Sequence, residues 1–235
     1  MTRQVIVLTK NIHELLDAYN RLESSAPGSP KICLVHGTPG MGKSTGMDLL
    51  QRDFGAVNTR ATAAWTPRTM LTTILRELGR DDVKGSNQDQ LDEITRVLSI
   101  SGRPLVVDEA DYLFERRGLL DLLRDIHDIA EVPLVLVGME RVVRKVNARE
   151  LVASRVAEQV KFEKLDREDA RQYTDELCEV EVADDLLDHL HQKANGSARR
   201  IALGLRQIEL YGKDRGGVVN LAQWQASGKQ YFLEG

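Results

Sequence analysis

The stretch His36-Gly-Thr-Pro-Gly-Met-Gly-Lys-Ser-Thr45, HGTPGMGKST, decides how the rest of the chain is read. From Gly37 onward it fills the pattern G-x-x-x-x-G-K-[ST] without a mismatch. The apolar run before it, ICLVHG, reads as a buried strand, and Ser44 to Phe54 continues as a helix. A strand that enters a glycine-rich loop opening a helix is the context in which this pattern binds phosphate. Gly37, Gly40 and Gly42 let the backbone curl so that several N–H groups converge, and the helix start adds partial positive charge. Thr38, Pro39 and Met41 fill the loop between them. Lys43 reaches β- and γ-phosphates, and Ser44, followed by Thr45, offers a hydroxyl to Mg²⁺.

Working outward, LVVDEADYL supplies the second half of such a site. Asp108 ends an apolar strand, where a carboxylate can hold Mg²⁺ through its water shell. Glu109 follows as the general base for an attacking water, which favours ATP hydrolysis over transfer to a small acceptor. Asp111 reads as a structural N-cap. The runs PLVVDEAD and VPLVLVG, with the helical spacing of Leu119, Leu122, Leu123, Ile126 and Ile129 between them, alternate as in a covered parallel α/β sheet. Helices are also expected over Asn11–Leu22, Arg68–Leu78 and Gln88–Ile100, and a short strand within GAVNTRA. After about Phe162 the strands stop. Arg167–Cys178, Asp184–Ala194 and Ala198–Tyr211 read as three amphipathic helices. The expected division is 1–30 N-terminal helix and linker, 31–163 nucleotide-binding core, 164–211 helical lid and 212–235 tail.

Composition narrows the class. With 42% apolar and 29% charged residues the 235-residue chain is an ordinary globular protein. No run approaches the ~20 apolar residues of a membrane span, and the N-terminal apolar stretch is too short for a signal peptide, so the cytoplasm is expected. Aromatic residues are 5%, too few for a stacking platform for single strands. Net charge is −4, but unevenly placed: Arg141, Arg144, Lys145, Arg149 and Arg155 stand against Glu150 alone between 141 and 155. The segment 163–188 is strongly acidic. Cys33 reads as a buried structural thiol and His189 and His191 as a solvated helix face.

Two arginine elements complete the pattern. Ser154-Arg155 precedes the expected fifth strand and reads as a finger acting on the γ-phosphate of the next subunit. In NGSARR, Arg199 and Arg200 open the last lid helix, from which an arginine can report the γ-phosphate.

Together, GTPGMGKST, LVVDEADYL, the LVLVGME strand end, SRV before KFEKL, and NGSARR resemble an AAA+ ATPase. The closest resemblance is to the transposition-regulator branch, the Mu phage B, TnsC and TniB type. The SR step is similar to the finger of clamp loaders. GSAR looks like a Gly-Asn-x-Arg sensor with Ser197 in place of Asn, which points to Arg199. Where AAA+ proteins usually carry a polar sensor at the end of the fourth strand, this chain has Gly138-Met139, and slow hydrolysis is expected. The resemblance implies a bacterial or phage-encoded protein, using ATP and Mg²⁺, that assembles into a ring or helical filament on duplex DNA. It further implies that the assembly recruits a DDE transposase to the target and that hydrolysis disassembles it. Arg68, Arg76, Arg80 and Lys84, between the second and third strands, are the DNA-facing group it implies. The alternative is an AAA+/STAND-type switch whose output is a protein contact.

Overall fold

The computed structural model describes residues 5–213 and 215–232. The chain divides into two compact units. The larger comprises 14–38 and 43–161, and the smaller 1–13, 39–42 and 162–235.

The larger unit is a sheet with helices on it. Its strands are β1 (Ile32–Gly37), β2 (Val57–Arg60), β3 (Leu105–Asp108), β4 (Leu134–Gly138) and β5, which begins at Val156 and runs to Phe162. Their spatial order is β2-β3-β4-β1-β5. The pairings of β2 with β3, β3 with β4 and β1 with β4 are parallel. Every residue of β1 and β4 is buried, as expected of central strands covered on both faces. β4 lies between β1 and β3: His36 is level with Gly138, and Val107 with Leu136. Whatever ends β4 therefore sits between the glycine-rich loop and Asp108. A crevice at strand ends, where the chain leaves β1 in one direction and β3 in the other, is the usual ligand position in open α/β sheets.

The helices are α1 (Lys10–Glu23), α2 (Lys43–Phe54), α3 (Pro67–Glu77), α4 (Asn87–Ser101), α5 (Leu119–Ala130), α6 (Arg141–Asn147) and α7 (Glu150–Ala153), with a 3-10 turn over Ala110–Phe114. Local chemistry sets their ends. Thr66 and Ser86 make reciprocal capping boxes with Thr69 and Asp89, Pro67 takes the first helical position of α3, and α4 stops at Gly102 with φ 65°. Ile74, Ile94, Leu98, Leu123 and Ile126 bury their helices against Ile32, Leu34, Val107 and Leu136 of the sheet.

The smaller unit is helical: α8 (Arg167–Leu177), α9 (Asp184–Ala194), α10 (Ala198–Gly212) and α11 (Leu221–Ala226). Gly204 permits a tight crossing, since a Cβ there would fall 2.2 Å from Leu190 Cδ1. The fourth helix, α11, is one more than the amphipathic pattern predicts. The tail packs on this unit: Trp224 stacks on Tyr231 at 4.9 Å and meets Tyr211 edge-on. Among the described residues no helix is long and apolar enough to cross a membrane.

Candidate nucleotide site

The loop at the end of β1 has the backbone its glycines predict. Gly40 and Gly42 take φ 82° and 95°, the left-handed side of the map that a side chain resists. Gly40 is constrained twice, because a Cβ there would lie 2.7 Å from Ser197 Oγ. The start of α10 holds this residue: the Arg199 N–H donates to the Gly40 carbonyl at 3.1 Å, and the Ser197 hydroxyl donates to it at 3.2 Å. Sequence reasoning gave Arg199 a side-chain role; what touches the loop here is its backbone. Its side chain is exposed. The neighbouring Arg200 lies over the Phe232 ring at 4.3 Å, so the tail occupies the second of the two arginines.

In the larger unit, Lys43 Nζ donates to the Gly37 and Thr38 carbonyls at 2.7 and 2.9 Å, folded over the loop it follows. Ser44 is exposed in the first turn of α2. A lysine turned over Gly37 and Thr38, an exposed hydroxyl in the first turn of α2 and a strand-end carboxylate are groups that suit a nucleotide phosphate chain with Mg²⁺. Among the described residues no cluster of three or more His, Cys, Asp or Glu could hold a metal alone. A cation at Ser44 and Asp108 would thus need the phosphates and water as further ligands.

Asp108 is partly buried. Burial raises its pKa above the ordinary carboxylate value, with Glu109 adding to the rise, while the Glu109 N–H, Arg60 and Lys43 pull the other way. That N–H donates to Asp108 Oδ1 at 2.7 Å. The same turn puts Glu109 at φ 53°, ψ 38°, a left-handed conformation costing a non-glycine residue on the order of 1 kcal/mol. Glu109 Oε1 accepts from Arg60 Nη2 at 3.1 Å. Arg60 is a site neighbour that the sequence did not reveal: only the β2–β3 register, which sets Arg60 against Asp108, brings it there.

Asp111 is the larger surprise. It does not cap a helix. Its carboxylate, 4% exposed, accepts from the Met139 N–H at 2.7 Å and from Arg141 Nε at 2.8 Å, while its carbonyl accepts from Lys145. A Cβ on Gly138 would lie 2.9 Å from Asp111 Oδ2. The position where a polar sensor was expected is thus fastened through its backbone by a carboxylate from the 3-10 turn. DEAD in the sequence carries the signal, but only the adjacency of β3 and β4 gives it meaning.

Arg155 is not brought to this chain's loop. It precedes β5 and its carbonyl accepts from the Ile32 N–H, so it sits at the strand-start edge, roughly 20 Å away at 3.3 Å per residue. Arg155 Nε donates to Asp128 at 2.7 and 2.8 Å and Nη1 to the Leu151 carbonyl, beside a cleft of about 390 Å³ that Lys31 and His127 also line. The group expected to face DNA is largely occupied within the chain. Arg68 donates to the Gly85 carbonyl, Arg76 pairs with Asp81 at 3.7 Å and Arg80 with Glu93 at 2.8 Å; Lys84 is exposed.

Comparison with known proteins agrees with this architecture. The family described as AAA domain matches residues 27–146. No curated protein matches. Among solved structures, the Aeropyrum pernix ORC1 protein in complex with DNA aligns at TM-score 0.65 and 22% identity, over 95% of this chain and 66% of that one. Cdc6p from Pyrobaculum aerophilum aligns at 0.67 and 17%, over 92% and 65%. The Aeropyrum pernix ORC2 protein, in ADPNP-ADP complexes, aligns at 0.66 and 19%, over 91% and 64%. This chain thus spans about two thirds of the length of each. At these identities the likeness is one of fold, and it bears out the P-loop α/β sheet read from the sequence. With the family matched across residues 27–146, the chain belongs to the AAA domain family.

Proposed function

We propose that this chain is an ATPase that assembles with ATP on duplex DNA and that hydrolysis releases the assembly. The observation that carries the reading is that β1, over whose end at Gly37 the Lys43 side chain folds, and β3, which runs into Asp108-Glu109, flank β4. Bound Mg²⁺–ATP would supply the scissile anhydride and the metal's charge. The chain's own groups do the rest. The loop N–H groups of Gly37–Thr45 hold phosphate oxygens, Lys43 leaves its two carbonyls for them, and Ser44 and Asp108 hold the cation. Glu109 takes the proton of an attacking water once Arg60 releases it. Arg199 reads the phosphates from α10. Arg155 acts on a neighbouring subunit's nucleotide, for which its distance from its own loop is suited.

DNA binding is supported by the fold shared with the ORC1 protein, solved in complex with DNA. The finer reading, recruitment of a DDE transposase to the DNA-bound ring or filament, rests on the sequence resemblance. Electron microscopy with a non-hydrolysable ATP analogue, with and without long duplex DNA, tests the assembly. Particles are expected that lengthen or close around DNA. Monomers at low salt with both ligands present would sink it, and ATP hydrolysis indifferent to DNA would favour a protein-contact switch.

A further inference from the structure

The arginines between β2 and β3 are largely spent on the chain itself, whereas another basic group is not. Arg141, Arg144 and Lys145 lie on α6, whose Val142 and Val146 are buried. Lys145 sits 5.4 Å from the centroid of Phe114, the last residue of the 3-10 turn, and Arg141 bonds Asp111 of the same turn. The chain leaves that contact directly through Arg116 and Arg117, both exposed, and Arg149 follows α6. Among the described residues Arg116, Arg117, Arg144 and Arg149 make no ion pair. The acids immediately next to these six cations in the sequence are Glu115, Glu140 and Glu150.

We infer that the face formed by α6 and the Arg116–Arg117 loop is the surface that takes the phosphate backbone of duplex DNA. The inference rests on the DNA-binding reading and assigns its site. Five of the six cations are arginine, whose planar fork suits phosphate oxygens. They need no base edge, which fits sequence-independent binding. The face is also wired to the hydrolytic turn. Arg141 and Met139 are bonded to Asp111, two residues after Glu109. A phosphate that draws Arg141 off the Asp111 carboxylate loosens the turn that fixes Glu109, so DNA bound here raises the hydrolysis rate.

The test uses the full chain with a non-hydrolysable ATP analogue and a fluorescein-labelled 30-base-pair duplex, followed by anisotropy from about 50 to 200 mM salt. The parent is compared with Arg116→Ala/Arg117→Ala/Arg144→Ala and with Arg68→Ala/Arg76→Ala/Arg80→Ala/Lys84→Ala. The triple variant should bind DNA about 10-fold or more weakly. Its log–log salt slope should be shallower by about 2 to 3, at roughly 0.9 per lost phosphate contact. Nucleotide affinity and DNA-free hydrolysis should match the parent, while stimulation by DNA is lost. The quadruple variant should keep the parent's slope. A triple variant with parental affinity and slope overturns the assignment, as does one that loses self-association without DNA, which would give the face to a second copy. A parent that binds no duplex overturns the DNA reading itself.

Discussion

The two edges of the sheet are built differently. Where the strands end, polar groups are held under constraint. Asp108 is raised by burial, Glu109 sits in a left-handed turn, and Asp111 is a buried carboxylate. His36 has a pKa lowered by burial, with Nδ1 buried and unpartnered while Nε2 lies 2.9 Å from Gln159. Where the strands begin, Arg155 and Asp128 form an ordinary ion pair, each about one-third exposed at 32% and 33%. Such a pair stabilises a fold by roughly 0 to 1 kcal/mol. The strand-start edge also has a left-handed residue, Glu131 at φ 55°, and a buried His127, but the inward-held carboxylates Asp108 and Asp111 stand together at the strand ends, where chemistry rather than folding would require them. The ordinary edge matters only if a second chain uses it.

Breaking that second edge should therefore have the largest effect and leave the lone chain almost untouched. Arg155→Ala is expected to lower hydrolysis in the assembled state by about 10³-fold or more, the scale of arginine fingers elsewhere. Nucleotide affinity in dilute solution should hold within about 2-fold, because Arg155 lies across the sheet from the loop. Steady-state rates at rising protein concentration decide it. A variant whose rate climbs with concentration like the parent's would leave Arg155 a surface residue. At the strained edge, Glu109→Gln keeps the turn but loses the basic carboxylate. Single-turnover hydrolysis should fall about 10² to 10⁴-fold with ATP still bound and the assembly persisting. Reduced assembly in that variant would remove Glu109 from the role of base.

The parts of this edge that sequence reveals are those whose chemistry is local. Gly37 to Thr45 form one contiguous stretch of sequence, and Asp108-Glu109 end an apolar run, so residue type and spacing name them. β1, β3 and β4 are legible for the same reason: buried parallel strands are short apolar runs with polar ends. Arg60 and Asp111 escape because their partners, Glu109 and Met139, are set by sheet order β2-β3-β4, which no local pattern encodes. Gly40 is legible as a loop glycine but not as the seat of Ser197, 157 residues away. α11 escapes because its six residues are too few for helical periodicity, and Trp224 buries it through tertiary packing.

Asp111 sharpens the contrast by stability. Asp111→Ala would leave the Met139 N–H without its acceptor and Arg141 without its carboxylate, and is expected to cost about 3 kcal/mol in denaturant unfolding. Asp111→Asn keeps one acceptor and should recover about half. Equal losses for both would mean that the charge toward Arg141, not the bond to β4, is what Asp111 supplies.

Asp108→Asn gives the smallest effect and the most direct reading of the strained edge. Burial holds the folded carboxyl's pKa above its unfolded value, so between the two values the folded chain binds the proton more tightly. Stability contributed by this group then falls as pH rises through that window and stays low at neutral pH. An asparagine has no proton to lose, so the variant should unfold at a higher temperature than the parent at pH 7 without nucleotide. A gain of up to about 4 °C is what a domain of this size shows for roughly 1 kcal/mol. The gap should narrow as pH drops below the ordinary carboxylate range, where the parent is protonated in both states. A parent that instead gains on the variant with rising pH would mean that Lys43 and Arg60 outweigh burial at Asp108. The strand-end edge would then be stabilised by its charges, as the strand-start edge is by Arg155 and Asp128.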